Sequence, residues 1–315
     1  MQSSLRVVLF PMNCTPLVWS PTTSDALGPT VSVCAIALFI HTIFWIQVLI
    51  VSTLRERTMM WLYAYLSTDY FLLIRFFIFY AIRREEVCLY ATFRTILCYF
   101  EASSKFYINA VQTYLLLALN VCRYAQIVSG RNLYVEYLHR LLFTFFLIIF
   151  LLALNVAIQF LAGWTNLWRR TGGSCDIQYG YLIVQIFNLF IVYIVPIVLS
   201  LFLIALCIRH VSSVVGIRSQ QLINRRRQHQ RKLLFQTVIF YSTWLILWSP
   251  NVLAFQFINV NTDAGIITSF INYIELTIEP LMVAALDVRF FKVWQQLWRR
   301  IRGLRQATVV PVNRY

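Results

Sequence analysis

Residues 180–208 read GYLIVQIFNLFIVYIVPIVLSLFLIALCI, 29 residues without one charged side chain. A helix crosses the hydrocarbon core of a bilayer in ~20 residues, at a rise of ~1.5 Å each. This run is long enough, and it is not alone. Comparable stretches lie near 30–53, 59–82, 95–122, 140–162, 233–259 and 265–286. The nine glycines (28, 130, 163, 172, 173, 180, 216, 265 and 303) fall between these stretches or at their ends. Helices unbroken by glycine are therefore expected, as lipid requires when every backbone polar group must be satisfied internally. The chain is 60% hydrophobic, with a mean hydropathy of +0.69, far above soluble usage. The expected fold is an all-α membrane protein: a seven-transmembrane-helix bundle, N-terminus outside, with a short amphipathic helix after helix seven.

The net charge of +15 would suit nucleic acid if it were gathered on one face. Its distribution points elsewhere. With the N-terminus outside, 19 of the 27 Lys and Arg fall on the inner side and six on the outer; Arg75 and Lys105 lie within helices. Inner basic excess sets this orientation, and it suits contact with anionic inner-leaflet lipid or an intracellular partner. No nucleic-acid partner is expected. The division that follows is an extracellular tail over 1–29, a membrane domain over 30–286, and a cytoplasmic amphipathic helix and tail over 287–315. Met1–Met12 is short and broken by Arg6, so the first apolar stretch is expected to act as its own insertion signal.

Residues 288–302 place Phe290, Trp294, Leu297, Trp298 and Ile301 at helical spacing among Arg289, Lys292, Arg299, Arg300 and Arg302. That pattern lies flat on a membrane surface, and Gly303 ends it. The inner segment 209–232 carries Arg225, Arg226 and Arg227 and ends in Arg231 and Lys232. It is either topology charge alone or a docking surface for a signalling partner as well. No internal repeat is found, which counts against transporter folds built from mirrored halves.

The seven cysteines show no metal pattern. Cys34, Cys122 and Cys207 lie in helices and read as packing residues. Cys14, Cys88, Cys98 and Cys175 fall on the outer side, where disulfides persist. Asn13-Cys14-Thr15 is the one N-x-S/T sequon, so Asn13 is a candidate glycosylation site. The four histidines (41, 139, 210 and 229) are scattered. With no nucleophile–base spacing and no phosphate loop, no enzymatic activity is expected.

Pro196, Pro250 and Pro280 lie inside predicted helices five, six and seven. Each removes a backbone donor and bends its helix. They are candidate hinges, with static kinks the alternative. From Cys98 to Arg123 is about 37 Å of helix, which spans the bundle from outer to inner rim.

With these features together, the chain resembles the rhodopsin-like G-protein-coupled receptors. Cys122-Arg123-Tyr124 looks like the Asp-Arg-Tyr end of helix three, with Cys98 at the family's spacing before it. Asp69 falls where the family has its helix-two aspartate, and Pro196 matches the helix-five proline. Leu247-Trp248-Ser249-Pro250 resembles Cys-Trp-x-Pro, and Glu279-Pro280-Leu281-Met282-Val283 resembles Asn-Pro-x-x-Tyr, followed by Phe290 at family spacing. The resemblance implies that Cys175 bridges Cys98, tying the loop after helix four over the bundle. Cys14 and Cys88 are then left as a candidate second pair. It also implies a heterotrimeric G protein coupling at Arg123 and Tyr124 by bending at Pro250 and Pro280.

The departures from the family matter as much. Helix one has no asparagine and helix four no central tryptophan. Cys122 replaces the acid beside the arginine, and Gln230 stands near where an acid on helix six could clasp it. Ile204 and Val283 replace two tyrosines. Both the ionic clasp and the tyrosine latch are missing, so either high basal signalling or absent coupling is expected.

Charges inside a membrane are costly and default to functional candidates. By the resemblance, Asp69, Glu275 and Glu279 converge at mid-bundle, where the family holds sodium. Three carboxylates cannot all stay ionised and unpaired there, so Na+ or H+ is expected as the compensating ion. Lys105 lies seven residues past Cys98, about 10 Å inward, at the depth of the family's ligand pocket. A lysine there disfavours cationic amines and suits an anionic or carbonyl ligand. The alternative is an internal pair with Glu101, four residues before it. Asn109, Trp248 and Tyr273 complete the expected ligand contacts; Arg75 could also face them. Tyr273 stands where opsins carry their retinal lysine, so a retinal cofactor is not expected.

The expected function is that of a plasma-membrane receptor taking an extracellular ligand and signalling to a heterotrimeric G protein. The rivals are a proton- or cation-coupled transporter or ion pathway through Asp69, Glu275 and Glu279, and a receptor-like scaffold that does not couple.

Overall fold

The computed structural model describes residues 21–84, 90–131, 133–169, 175–213, 221–257 and 263–287, followed by 289, 290, 292, 293, 295 and 299. Asn13, Cys14 and Cys88 lie outside the described residues, as do residues 1–20 of the predicted tail. The side chains of Arg225, Arg226, Arg227 and Gln230, and those of Trp294, Leu297, Trp298 and Ile301, also lie outside them.

Helix α1 runs Pro21–Ile50, so residues 21–29 of the predicted tail are helical. Pro21 suits a first helical position, where no N–H is needed. Pro29 and Gly28 both lie inside α1. Helix prolines are thus not confined to stretches five to seven, nor are all glycines outside helices. Two short 3-10 turns, Ser52–Leu54 and Arg57–Met59, lead into α2, Met60–Arg84. Helix α3 covers Ala91–Tyr124 and runs on as a π turn over Ala125–Ser129. Gly130 ends that turn at φ 63, a left-handed conformation that costs glycine little. Helix α4 is the single turn Leu133–Glu136, and α5 is Leu138–Leu161.

An antiparallel hairpin follows, which the sequence reading did not anticipate. Strand β1, Thr165–Arg169, pairs with β2, Cys175–Tyr179, with Thr165 opposite Tyr179 and Arg169 opposite Cys175. The opening stretch 180–208 becomes α6, Leu182–Leu189, a π turn Phe190–Ile194, and α7, Val195–Ser213. Helices α8, Gln221–Phe257, and α9, Asp263–Leu286, complete the bundle.

Among the described residues, five segments are long and apolar enough to cross a membrane: Leu27–Ile50, Arg57–Arg84, Leu138–Leu161, Leu182–Ser213 and Ile267–Leu286. Seven were expected. Helix α3 falls short because Asn109, Gln112 and Asn120 dilute its uncharged run over 106–122. The apolar faces match a membrane-embedded protein. Helix α5 buries only Leu152 and Gln159, while Phe143, Phe146, Phe150 and Leu161 stand exposed; aromatic surface of that extent is unusual facing water.

Helix α3 is the hub. It packs against α2, α5, α7 and α8 and meets β2 towards its N-terminal end, while α9 lies between α1 and α8. The largest buried cluster gathers around Trp61, Tyr65, Leu115, Trp244 and Trp248. The disulfide implied by the resemblance is present: Cys98 and Cys175 are bonded, with Cα atoms 5.2 Å apart. It fixes the hairpin to α3. Cys34, Cys122 and Cys207 are free and buried, as packing residues should be.

Candidate functional site

The three predicted carboxyls do converge. Asp69 on α2 and Glu275 and Glu279 on α9 are fully buried or nearly so. Four-residue spacing puts the two glutamates on one face of α9, and that face meets α2. Two neutral donors reach the group: the Tyr65 hydroxyl donates to Glu279 Oε1, and the Gln112 amide donates to Asp69 Oδ1. Glu279 also stands within hydrogen-bonding range of both Asp69 and Glu275. Among the described residues, Asp69 Oδ2, Glu279 Oε2 and both oxygens of Glu275 have no N–H or O–H donor. Carboxyl thus faces carboxyl in this cluster, an arrangement that a proton or a cation would bridge.

The helix prolines differ in what happens to the carbonyls they orphan. A proline at position i leaves the carbonyl at i−4 without its α-helical donor. For Pro280 that carbonyl belongs to Leu276, and His41 on α1 meets it with Nε2 at 2.9 Å. For Pro196 the adjoining π turn puts both Ile191 and Val192 at risk, because π donors come from five residues on. The Tyr114 hydroxyl donates to Ile191 at 3.0 Å. The Thr113 hydroxyl lies 2.9 Å from the Val192 carbonyl and 2.8 Å from that of Ala110. Ala110 sits mid-helix and has its own N–H donor, so Val192 is the carbonyl in need.

Pro250 is different. Its i−4 residue, Ile246, turns its side chain outward, and among the described side chains none from another helix caps its carbonyl. Ser249 bonds Leu245 within α8 itself. Among the described residues, the carbonyls orphaned by Pro196 and Pro280 are thus the ones met from other helices.

The expected ligand contacts fall in two groups. Trp248 is buried in an aromatic column, its ring 4.6 Å from Trp244 and 5.5 Å from Tyr193. Tyr273 packs against Phe76 at 5.3 Å. Lys105 and Asn109 are half-buried on α3. Glu101, the alternative partner of Lys105, directs one carboxylate oxygen to Arg83 and accepts the Cys175 N–H on the other at 3.1 Å. Arg83 is buried at the end of α2 and its neighbour Arg84 is exposed; nothing in the local sequence distinguishes the two.

At the C-terminal end of α3, Arg123 Nη1 reaches Gln126 at 3.4 Å, and Tyr124 is half-buried. The Cys122 thiol, in the place of the family's acid, lies against Tyr134 and Trp61. Ile204 and Val283 are buried in the apolar core, so no polar latch forms through them. A different tie closes this end: the Gln236 amide of α8 donates to the Leu286 carbonyl at the end of α9. Beyond α9, Arg289 binds Asp287 at 2.7 Å and Glu56 at 2.5 Å. Its hydrogen bonds to Asp287 hold the guanidinium above its ordinary range. Phe290, predicted to rest on lipid, is fully buried and stacks on Phe44 at 5.0 Å.

No protein-family model matches this chain, and no curated protein matches it. The functional reading rests on the residues.

Proposed function

We propose that the chain is a seven-helix receptor of the plasma membrane, resembling the rhodopsin-like G-protein-coupled receptors, with its N-terminus outside and its C-terminus in the cytoplasm. Its spans would be α1, α2, α3, α5, the continuous α6–α7 segment, α8 and α9. An extracellular ligand entering past the disulfide-tethered hairpin contacts Lys105, Asn109, Trp248 and Tyr273. Ligand shifts the bundle only by favouring one state over another. Helix α8 swings about Pro250, the Gln236–Leu286 bond breaks, and a cleft opens beside Arg123 and Tyr124 for a heterotrimeric G protein. Basic residues on that side engage anionic lipid.

The observation that carries this reading is the Cys98–Cys175 disulfide, which ties the β1–β2 hairpin to α3 at the pair of positions that the resemblance implies. With no ionic clasp at Arg123, basal output is high. The test is G-protein recruitment in cells expressing the full chain at the surface, beside Arg123→Ala and mock cells. Ligand-free recruitment above mock, lost in Arg123→Ala, is expected. Recruitment equal to mock for every G-protein class overturns coupling and leaves the non-coupling scaffold.

The carboxyl cluster favours one second reading, a proton- or cation-conducting pathway through Asp69, Glu275 and Glu279. Proton or sodium flux into proteoliposomes, abolished by Glu279→Gln, would establish it in place of the receptor.

A further inference from the structure

Strand β2 is held to α3 twice through a single residue. The Cys175 side chain is bonded to Cys98, and the Cys175 backbone N–H donates to Glu101 Oε2 at 3.1 Å. Cys98 and Glu101 are three residues apart, so they share one face of α3, and both are buried. The second contact is braced from elsewhere. The other oxygen of Glu101 pairs with Arg83 at the end of α2, whose guanidinium lies 5.6 Å from the Phe79 ring. A carboxylate has lone pairs enough for both bonds. Only 2% of the Arg83 side chain and 10% of that of Glu101 are exposed, so this pair resists opening far more than a surface pair would. Glu101 is thus aimed from α2 while it holds β2.

The two ties do different work. A disulfide fixes one point and leaves rotation about its own bonds. The N–H bond to Glu101 fixes the direction in which β2 leaves that point, and a hydrogen bond to a charged acceptor is of the stronger kind. Direction matters here, because a two-stranded hairpin is marginal by itself. Strands β1 and β2 keep their pairing by being seated. Correct seating also brings Ile177 against the buried cluster of Phe106, Ala110, Leu152 and Val192.

We propose that Glu101 is a second latch for the hairpin, oriented by Arg83 and independent of the disulfide, so that β1 and β2 stay seated on α3 when the Cys98–Cys175 bond is absent. The hairpin comes free only when both latches are lost. Through Arg83 the same carboxylate joins the hairpin to α2 as well as to α3. Glu101 is a positioning residue in this scheme, and the scheme holds whether or not the chain couples to a G protein.

The test is hydrogen–deuterium exchange over residues 165–169 and 175–179, with the full chain in phosphatidylcholine nanodiscs. Four proteins are compared: the native chain, Cys98→Ser with Cys175→Ser, Glu101→Leu, and all three changes together. Protection should survive the loss of either latch. With both lost, exchange should be at least about tenfold faster than in the disulfide-free chain, the equivalent of one charge-assisted hydrogen bond. Exchange over residues 106–116 of α3 should be the same in all four. If removing the disulfide alone frees the hairpin, the second latch does not exist. If Glu101→Leu alone frees it, the latches are not independent. If the triple variant is no faster than the disulfide-free chain, the apolar seat of Ile177 suffices. If the rise extends along α3, Glu101 supports the bundle and not the hairpin. Each of these results overturns the proposal. Should Glu101→Leu not fold, Arg83→Met with Glu101→Leu removes both charges together. Should the disulfide-free chain not fold, dithiothreitol added to the folded proteins opens the bond instead, each disulfide taking two electrons and two protons to give two thiols while the reagent closes to its cyclic disulfide.

Discussion

The imidazole Nε2 of His41 stands 2.9 Å from the carbonyl oxygen of Leu276, 235 residues away in the chain. That carbonyl is the one Pro280 deprives of its helical donor. Helix α1 thus supplies what α9 lost, and the kink becomes a fixed joint. The bond requires the proton on Nε2. Among the described residues, Nδ1 is buried without a partner.

His41→Leu should therefore destabilise the bundle by about 1–3 kcal/mol, the cost of leaving a buried carbonyl unsatisfied. His41→Gln, which restores an N–H donor, should recover part of it. Thermal unfolding of the purified protein measures both. Equal losses in the two variants would mean that ring packing, not the hydrogen bond, is what α9 needs.

Thr113 allows a sharper test, because its supposed client can be repaired. Thr113→Val removes the hydroxyl while keeping the branched shape, and should cost about 1–2 kcal/mol. Pro196→Ala returns an N–H to α7. If Thr113 serves the carbonyl orphaned by Pro196, the cost of Thr113→Val should shrink in the Pro196→Ala background. A double-mutant cycle reads that coupling directly. Additive effects would show that the Thr113 contact is incidental.

The carboxyl cluster makes a prediction with a definite sign. Glu275 is buried beside Asp69 and Glu279, and among the described residues neither of its oxygens has an N–H or O–H donor. Glu275→Gln removes one carboxyl and brings an N–H donor to its neighbours, so it should raise the melting temperature of the purified protein. A lower melting temperature in Glu275→Gln would show that the cluster needs this carboxyl and not merely its shape.

Much of this arrangement was legible in the sequence, and what was not has a physical reason. Glu275 and Glu279 share a face because four residues make nearly one turn, and the family resemblance brought Asp69 to them. Cys98 and Cys175 were found the same way. The proline rule alone names Leu276 and Val192 as carbonyls in need, but not His41 or Thr113 as their donors. Those partners come from other helices, and nothing local marks them. Arg83 and Arg84 are adjacent and chemically alike; only the rotation of α2 buries one and exposes the other. The hairpin escaped notice because five residues a side, partly polar, carry too little alternation to stand out from a loop.

The contact beyond α9 sets an ion pair against an aromatic stack. Arg289 with Glu56 and Asp287 looks like the clamp, yet Glu56 is 56% exposed and Arg289 31%. Pairs that open to solvent contribute about 0–1 kcal/mol. Phe290 is fully buried on Phe44, and truncating such a ring to alanine costs about 3–5 kcal/mol. Phe290→Ala should therefore release the segment after α9 and lower the melting temperature, while Glu56→Gln should change little. Hydrogen–deuterium exchange over residues 287–293 separates the two: fast exchange is expected in Phe290→Ala alone. If Glu56→Gln loosens that segment equally, the ion pair and not the ring is what docks it against the turn between α1 and α2.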